Sequence, residues 1–330
     1  MKLSVSLIFR KKLPQFNSIE NIFNSLLEEF RKQIEVEKLE VPNSGATLLD
    51  IFENLKFTGK RKSEVTHITG HVNYLALVTG RKTILTIHDI GSSFYGGKLH
   101  QIFMKLFWYY LPCLLVKKIT VISEFSRKEL IKLVPFAKNK IKVISNPVNS
   151  ALEYKPLEFN KVNPLILHIG TKSNKNLERT IKALEGISCK FLIIGELSTK
   201  QMELLKKYKI DYTNKKHISF LEIKAAYEAC DLVSFVSLYE GFGMPVIEAQ
   251  AVGRPVLTSA IEPISQVAGD AACFVDPENI EEIRKGFLKI IDDDEFREQL
   301  IFKGRKNVKR FQVEEIANQY LELYKEVANA

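Results

Sequence analysis

Two glutamates stand eight positions apart in the stretch LYEGFGMPVIEAQAVGRPVLTS. Glu240 lies in a segment broken by glycines, and Glu248 lies in the apolar run that follows. Pro245 fits the first turn of a helix, where its missing N–H costs nothing, and Gly253 fits the C-terminal cap. The spacing therefore predicts a helix over 244–252 between two buried strands, with one carboxylate before it and one within it.

Residues 240–244 are predicted to lie at the carboxyl ends of parallel strands, where ligands bind in open α/β sheets. Gly241 and Gly243 let the backbone approach a ligand closely, and the helix N-terminus offers N–H groups to a phosphate or to sugar hydroxyls. Two carboxylates would repel a phosphate, but each can accept two hydroxyl groups. The combination indicates a sugar nucleotide. The alternative is that Glu248 only stabilises its own helix and Glu240 is a solvated loop residue.

The chain as a whole alternates short β-branched runs with amphipathic helices, which predicts a parallel α/β architecture. The pattern restarts after a polar linker at 149–164, so we expect two doubly wound, Rossmann-like domains facing a central cleft. We expect the domains at 1–148 and 149–311, with a C-terminal helix at about 312–330 packing back on the first. Strands are predicted at 2–9, 64–69, 82–89, 117–123, 140–146, 164–170, 190–195, 231–237 and 254–259. Helices are predicted at 18–33, 71–79, 98–115, 124–133, 176–187, 198–209, 223–230, 244–252 and 313–328.

Charge is distributed unevenly along the 330 residues, whose net charge is +9. The first 150 residues hold 23 Lys and Arg against 12 Asp and Glu, whereas the remainder hold 25 against 27. A basic first half favours an anionic partner, unless it is only a solvated lysine-rich surface. Residues 97–118 combine aromatic side chains with flanking lysines, so we expect either an anionic membrane interface or a largely buried helix. No nucleic-acid-binding module is recognisable, so no nucleic acid is expected as a partner.

The lengths of the apolar segments bear on where the protein is located. The N-terminal apolar run is too short for a signal peptide, and the apolar window at 99–116 is too short to span a bilayer. The four cysteines are scattered without metal-ligand spacing, which is typical of reduced thiols. We therefore expect a cytoplasmic protein, peripheral on the inner membrane if residues 97–118 bind lipid. The sequence leaves the oligomeric state open.

The segment EGFGMPVIEAQAVGRPV resembles the E-x7-E segment of glycosyltransferase family 4, the retaining sugar-nucleotide transferases of GT-B fold. The resemblance implies transfer of a sugar from a UDP- or GDP-linked donor to a hydroxyl acceptor, in bacterial surface polysaccharide or lipopolysaccharide assembly. The acceptor would be a glycan or a lipid-linked glycan. No cofactor is implied, since the nucleotide-diphosphate sugar is the substrate. Further similar segments are ITVISEFSRKEL, VISNPV, HIGTKSNKNLERTIKAL, FLIIGE and FLEIKAAYEACDLVSFVSLYEGFG.

The resemblance also implies a role for each candidate residue. Glu248 would bind the ribose hydroxyls, and Lys175 would neutralise the diphosphate, whose charge grows in the transition state. Glu240 would hold the donor sugar, and His88, predicted to end a strand, would contact that sugar from the other domain. His71 is a second histidine expected near the cleft. The remaining donor contacts are expected at Gly241, Phe242, Gly243, Met244, Gly170, Thr171 and Lys172, and the base contacts at Phe220 and Leu221.

Three positions depart from the family pattern. Thr171 stands where an arginine usually follows the glycine, Gln266 stands where a glutamate is usual, and the segment 9–18 contains no glycine. The departures leave open a non-catalytic sugar-nucleotide-binding subunit, and an epimerase or phosphorylase on the same fold is a further alternative. No metal is expected, since Lys175 and helix N-termini would replace it. The acidic run IDDD at 291–294 is expected to cap a helix.

Overall fold

The computed structural model describes residues 2–12, 18–45, 47–60, 63–88 and 97–330. It divides into two compact units. The first unit comprises Met1–Pro147 together with Val313–Ala330, and the second comprises Val148–Gln312. The chain therefore leaves the first unit, builds the second and returns to the first with its last helix.

The first unit is built on a sheet that, among the described residues, has six strands, all parallel to their neighbours. The central strands are runs of apolar and β-branched residues because both of their faces are covered. The strands are β1 (Ser4–Phe9), β2 (Glu35–Glu40), β3 (Val65–Ile68), β4 (Thr83–Ile87), β5 (Lys118–Val121) and β6 (Ile141–Val143). Their order in the sheet is β2-β1-β3-β4-β5-β6.

Helices pack on both faces of this first sheet. They are α1 (Ser18–Gln33), α2 (Leu48–Gly59), α3 (Lys98–Phe103), α4 (Leu111–Leu115), α5 (Glu124–Leu133) and, from the end of the chain, α13 (Val313–Ala328). A π-helical segment, Met104–Tyr110, joins α3 to α4, and 3₁₀ turns cover Asn73–Leu77 and Pro135–Lys140. Helix α13 packs on α1, where the rings of Phe30 and Tyr324 lie 5.5 Å apart. This apolar contact fixes the last helix in the first unit.

The second unit repeats the plan with a second parallel sheet, again of six strands among the described residues. Its strands are β7 (Leu165–Ile169), β8 (Lys190–Ile194), β9 (Tyr212–Lys215), β10 (Leu232–Phe235), β11 (Val256–Ser259) and β12 (Cys273–Val275). The order is β12-β11-β10-β7-β8-β9. Read from β9, this is the doubly wound order in which direction reverses between the first strand, β7, and the fourth, β10.

The helices of the second unit connect these strands and enclose one large apolar core. They are α6 (Leu177–Ala183), α7 (Thr199–Lys207), α8 (Phe220–Ala229), α9 (Met244–Val252), α10 (Ile264–Ala268), α11 (Ile280–Asp292) and α12 (Asp294–Asn307). Short 3₁₀ turns cover Ser173–Lys175 and Val308–Phe311. Asp293 caps α12 by accepting a hydrogen bond from the Phe296 amide, which confirms the capping role predicted for the acidic run.

The predicted α/β class with two doubly wound parallel sheets is confirmed. The helices predicted at 18–33, 124–133, 244–252 and 313–328 have those bounds. The helix predicted at 71–79 is wrong in type, since only a 3₁₀ turn forms there. The sequence analysis missed the edge strands β2, β9 and β12, and helix α2. Strand β9 is exposed at all four positions and β2 at most of its six, so neither shows the apolar pattern of a buried strand.

Candidate functional site

The reversal of strand order in the second sheet brings two loops together. Strands β7 and β10 are paired neighbours, with His168 opposite Ser234, and both run in the same direction. The loops that follow them, 170–176 and 236–243, therefore leave the same edge of the sheet side by side. This is the topological switch point, where ligands bind in open α/β sheets. Most of the predicted donor-binding residues lie in these two loops.

Hydrogen bonds connect the two loops directly. The Leu238 amide donates to the Asn174 carbonyl at 2.8 Å, and the Asn174 side chain donates to the Tyr239 carbonyl at 3.1 Å. The side chain of Asn176 is buried and donates to the carbonyl of Val236 at 3.0 Å. Because three bonds span the loops, their side chains are held in fixed positions relative to one another.

Lys175 and Glu240 form an ion pair between these loops. The Nζ of Lys175 lies 2.5 Å from Oε1 of Glu240, and the two side chains are only 21% and 14% exposed. The ammonium also lies 4.8 Å from the ring centroid of Phe235. The structure thus brings together the cation and the carboxylate that the sequence placed 65 positions apart, in a setting where water screens their charges little.

Gly170 makes room for the lysine stem. Its φ is +95°, and a Cβ at this position would lie 2.8 Å from Cγ of Lys175. Both the left-handed backbone and the close approach exclude a side chain here. Gly170 thus has a specific physical role, which is to let the side chain of Lys175 lie against the backbone at the end of β7; its contact with a donor stays a prediction.

The segment Gly241–Met244 leads into helix α9. Gly243, at φ +108°, is the N-cap residue, and Pro245 lies in the first turn as predicted. Gly243 has no side chain to cap the helix, Pro245 lacks an N–H, and the Val246 amide donates to the Gly243 carbonyl at 3.0 Å. The first-turn amide placed to meet an anion is therefore that of Met244. Phe242 is buried with its ring 5.8 Å from that of Phe311, so only its backbone could contact a ligand.

Glu248 lies on the second turn of α9, partly exposed. Its Oε2 accepts a hydrogen bond of 2.7 Å from the hydroxyl of Tyr227, a fully buried residue of α8. Burial raises the pKa of Glu248, and the bond from Tyr227 opposes that rise because it favours the carboxylate. Sequence reasoning missed Tyr227. Its only signal was a tyrosine on the apolar side of the helix that precedes β10.

Phe220 and Leu221, predicted as base contacts, begin helix α8 and do not lie in a loop. They are 38% and 74% exposed. Ser219 caps this helix through a capping box with Glu222, so the helix start is well defined. Tyr227 is on the same helix, roughly 10 Å along its axis from Phe220 at about 1.5 Å per residue.

Thr171 and Lys172 do not reproduce the arginine of the family pattern. The hydroxyl of Thr171 donates to the carbonyl of Glu196 at 2.6 Å, which links the loops after β7 and β8. Lys172 is exposed and forms no ion pair with another described residue. Gln266 is exposed on α10, where its amide donates to Glu262 at 2.9 Å. Thr171 therefore has a structural function of its own.

A buried histidine lies beneath the site and was not predicted. His168, the fourth residue of β7, is 1% exposed, and its ring nitrogens have no hydrogen-bond partner among the described residues. Burial lowers the pKa of His168 to about 3, the charge of Lys175 adds to the effect, and the nearby backbone of Gly170 offsets part of it. The ring is therefore neutral at physiological pH.

In the first unit, His88 follows strand β4 as predicted. Its Nε2 lies 2.9 Å from the carbonyl oxygen of Thr69, so Nε2 carries the proton in this arrangement. Gly70, at φ +134°, would place a Cβ 2.8 Å from Cδ2 of His88. His71 also has a positive φ, of 60°, and its carbonyl accepts a bond from the Trp108 indole at 3.0 Å. Residues 13–17 of the predicted glycine-free loop at 9–18 lie outside the described residues.

Within the described ranges, no group of three or more His, Cys, Asp and Glu side chains is arranged to hold a metal ion. The four cysteines are buried free thiols.

Comparison with family models matches two consecutive parts of the chain. The model for glycosyl transferases group 1 matches residues 151–307, and the model for glycosyltransferase family 4 matches residues 42–152. The two models meet at the linker between the two units and together cover most of the chain.

Two known proteins with similar sequences are O-antigen chain mannosyltransferases by name. The O-antigen chain mannosyltransferase B of Escherichia coli is 26% identical over 232 residues, which are 63% of this chain and 60% of that protein. The O-antigen chain mannosyltransferase RfbU of Salmonella typhimurium is 27% identical over 235 residues, 68% of this chain and 63% of that protein. The match spans less than two thirds of the length of either relative.

Solved structures agree with the fold. Anabaena HepE, crystallised with UDP and glucose, superposes with a TM-score of 0.77 at 14% identity, over 98% of this chain and all of that chain. At this identity the likeness establishes the fold, and the GT-B fold expected from the sequence is confirmed. With both family models matched in consecutive segments, the chain belongs to glycosyltransferase family 4, the glycosyl transferases group 1.

Proposed function

We propose that the protein is a retaining glycosyltransferase that moves a sugar from a UDP- or GDP-linked donor to a hydroxyl acceptor. The observation that carries this proposal is the Lys175–Glu240 ion pair, held on Gly170 at the switch point and followed by the N-terminus of α9. It sets a cation and a carboxylate beside each other. The cation suits the diphosphate of a nucleotide-diphosphate sugar, and the carboxylate suits the hydroxyl groups of its sugar.

The donor is proposed to separate this ion pair as it binds. Lys175 then faces the diphosphate, whose negative charge grows as the leaving group departs, and the N-terminus of α9 supplies a backbone amide to the same phosphates. Glu240, released from the lysine, accepts hydroxyl groups of the donor sugar. Glu248 accepts the ribose hydroxyls while Tyr227 holds its carboxylate in place. Lys172 at the start of the turn adds a second, exposed cation.

Retention is proposed to follow from front-side departure of the diphosphate, whose own oxygen helps to deprotonate the acceptor hydroxyl. The cation Lys175 and the helix dipole of α9 would stabilise the leaving group without a metal ion. His88 is proposed to contact the donor sugar through its ring. Its position is defined by the bond from Nε2 to the Thr69 carbonyl.

The biological setting is proposed from the names of the relatives. Two of them are O-antigen chain mannosyltransferases, which supports a glycan or lipid-linked glycan acceptor in bacterial surface polysaccharide assembly. Such acceptors are presented at membranes. The buried free thiols fit a reducing compartment, so we place the reaction on the cytoplasmic face of the inner membrane.

The donor site is tested by thermal unfolding with UDP, GDP, ADP and their sugar conjugates. A ligand well above its dissociation constant should stabilise the protein by about 2–4 kcal/mol. The stabilisation by one nucleotide should be lost in Glu248→Ala and kept in Glu203→Ala, which removes an exposed glutamate of α7. Stabilisation by none of these nucleotides in the wild-type protein would refute the proposal.

A non-catalytic subunit is the second candidate, and one observation favours it. Thr171 replaces the usual arginine, and its hydroxyl is already bonded to the Glu196 carbonyl. Nucleotide binding without transfer or hydrolysis of any donor, across a panel of glycan acceptors, would establish this candidate. An acceptor-independent change in the sugar itself would indicate an epimerase instead.

A further inference from the structure

The segment from α3 through the π-helix to α4 has an unusual exposed side. At every position between 102 and 115 that is classed as exposed, the residue is apolar or aromatic, and the exposed fractions run from 37% to 61%. The opposite side is also apolar, since Tyr109 and Cys113 are buried in the core of the first unit. We call the exposed side the apolar face. It consists of Ile102, Phe103, Leu106, Phe107, Tyr110, Leu114 and Leu115.

The π-helix keeps four side chains of the apolar face on one side of the segment. Ile102, Leu106, Tyr110 and Leu114 are each four residues apart. In an α-helix of 3.6 residues per turn, three steps of four would rotate the side chains by about 120° and spread them around the helix. The π-helical turn of Met104–Tyr110 closes through i→i+5 bonds, so a four-residue step there falls short of a full turn and reverses part of that rotation. The four side chains consequently remain on one side.

The segment is anchored from behind, so the exposure of this face is part of the fold. The Trp108 indole donates to the His71 carbonyl at 3.0 Å, and the Asn73 side chain donates to the Trp108 carbonyl at 2.8 Å. At the C-terminal end of α4, the ammonium of Lys140 donates to the carbonyls of Cys113, Leu114 and Val116. These bonds satisfy carbonyls that the irregular helix leaves open.

Positive charge surrounds the apolar face. The segment 97–118 contains four lysines and no Asp or Glu. Lys98 and Lys117 are exposed at its two ends, and Lys138 is exposed beside Phe136, whose ring contacts Tyr110 at 4.7 Å. An apolar face bordered by cations matches the interface of an anionic bilayer, where the ring systems enter the headgroup region and the lysines meet lipid phosphates.

A second copy of the chain fits this surface less well. In a twofold dimer the same patch faces itself, so the lysines at its border would meet lysines. Nor is the segment built to cross a bilayer: no helix in the described ranges is long and apolar enough to span one. An element that is apolar, bordered by cations and too short to span is suited to lie in the plane of the interface.

We infer that the apolar face of the segment 98–115 binds an anionic lipid surface, with the lysines at its border contacting the headgroups. The inference extends the proposed function, since it supplies the surface on which a lipid-linked acceptor would be met. Vesicle binding requires no donor, so it can fail while nucleotide binding succeeds, and the reverse also holds.

Vesicle flotation of the full chain tests the inference. The wild-type protein should float with vesicles of phosphatidylcholine and phosphatidylglycerol, and at least tenfold less with phosphatidylcholine alone or at high salt. The double variant Ile102→Asn with Leu106→Asn should lose at least tenfold in affinity. The matched control is Leu48→Asn with Leu49→Asn on α2, two residues that are even more exposed but share their helix with Asp50 and Glu53.

The control should bind as the wild type does. An absence of flotation with anionic vesicles would overturn the inference, as would an equal loss in both double variants. Light scattering at the same concentrations gives the third outcome: a dimer of the wild-type protein that becomes a monomer in Ile102→Asn with Leu106→Asn, without vesicle binding, would assign the face to self-association.

Tryptophan fluorescence tests the same contact without relying on a variant that loses binding, which could also result from misfolding. Trp108 is the only tryptophan of the chain and helps to anchor the segment, so it is kept, and its emission in the wild-type protein is subtracted as a constant background. After this subtraction, the emission of Leu114→Trp should shift to the blue on addition of anionic vesicles and be quenched by brominated lipid. Leu49→Trp after the same subtraction should show neither change. Equal responses at the two positions would contradict the inference.

Discussion

In both units, a glycine with a positive φ lies at the place where strand order reverses. In the second unit Gly170 follows β7 with φ +95°, and the stem of Lys175 lies against it. In the first unit Gly70 follows close after β3 with φ +134°, and the ring of His88 lies against it. A Cβ on either glycine would come within 2.8 Å of the neighbouring side chain. Each glycine is thus required by the close approach of a side chain that is proposed to contact the donor.

The difference between the two places is electrostatic. Lys175 is a cation paired with a carboxylate, and we propose that it exchanges this partner for a diphosphate. His88 is bonded to a backbone carbonyl, which fixes its ring without supplying charge. The second unit is therefore suited to hold an anionic nucleotide, and the first to orient a polar group. A second contrast, in hydrogen bonding, lies in two buried histidines: His67 of β3 is bonded at both ring nitrogens, whereas His168 of β7 has no partner at either among the described residues.

The largest effect is expected from Lys175→Ala. Because this cation is proposed to stabilise charge that develops in the transition state, its removal should lower turnover by about 10²–10³. Nucleotide affinity should fall by a smaller factor. Initial rates with the donor identified by thermal unfolding measure both. Lys200→Ala is the control, an exposed lysine of α7 in the same unit; an equal loss in the control would refute the assignment of the leaving-group role to Lys175.

The buried histidines should respond differently to replacement by leucine. His67 is bonded at both nitrogens, to the Tyr324 hydroxyl at 2.8 Å and the Thr86 hydroxyl at 2.7 Å. His67→Leu leaves both hydroxyls without that partner and should cost about 2–4 kcal/mol of unfolding free energy at pH 7.5. His168→Leu should cost less than about 1 kcal/mol, because its nitrogens lack partners. Denaturant titration of both variants measures the difference, and equal losses would contradict it.

Acid should destabilise the protein through the same two residues. Burial lowers the pKa of both His67 and His168 from about 6.5 in the unfolded chain to about 3. The unfolded state therefore binds more protons, so stability is complete above pH 6.5 and falls as the pH decreases towards 3. Each histidine should account for about 2 kcal/mol between pH 6.5 and 5. His168→Leu should flatten this slope, which denaturation at several pH values can determine.

Alanine at the two switch-point glycines should separate the functions of the units. Gly170→Ala should displace Lys175 and weaken nucleotide binding by roughly tenfold, about 1.4 kcal/mol. Gly70→Ala should displace His88, lower turnover and leave nucleotide binding intact. The controls are Gly186→Ala and Gly80→Ala, whose φ values are also positive but which have no atom within 4 Å of an added Cβ. Thermal shift and rate measurements on all four variants distinguish the effect of backbone strain from the effect of displacing Lys175 or His88.

The smallest effect is expected from Tyr227→Phe, which removes a single hydroxyl bonded to Glu248. Burial raises the pKa of Glu248, and ribose binding requires the carboxylate, so nucleotide affinity should fall as the pH decreases through that raised pKa. Without the tyrosine hydroxyl the carboxylate is less stable. The fall should therefore begin at a still higher pH, with a loss of about 0.5–1.5 kcal/mol at neutral pH. An unchanged pH profile in Tyr227→Phe would show that the hydroxyl does not position Glu248.

Prediction from the sequence was most complete where local signals coincide. Helix α9 was predicted with its bounds because Pro245 and Gly253 mark its ends independently of the rest of the fold. The missed strands β2 and β9 are edge strands with exposed side chains, so they lack an apolar pattern and form only because a neighbouring strand offers its hydrogen bonds. Tyr227 and His168 were missed because nothing in their local sequence reveals what they contact.

The sequence by itself determined the α/β class, the family and the location of Glu240, Glu248 and Lys175 in loops and helix starts. Each of these follows from residue types at short spacing. Only the tertiary structure decided which groups meet: Lys175 with Glu240 across 65 positions, Tyr227 with Glu248, and His67 with Tyr324 of the returning last helix. The physical reason is that strand order sets which loops become neighbours. That order depends on the packing of the whole sheet, which no short segment encodes.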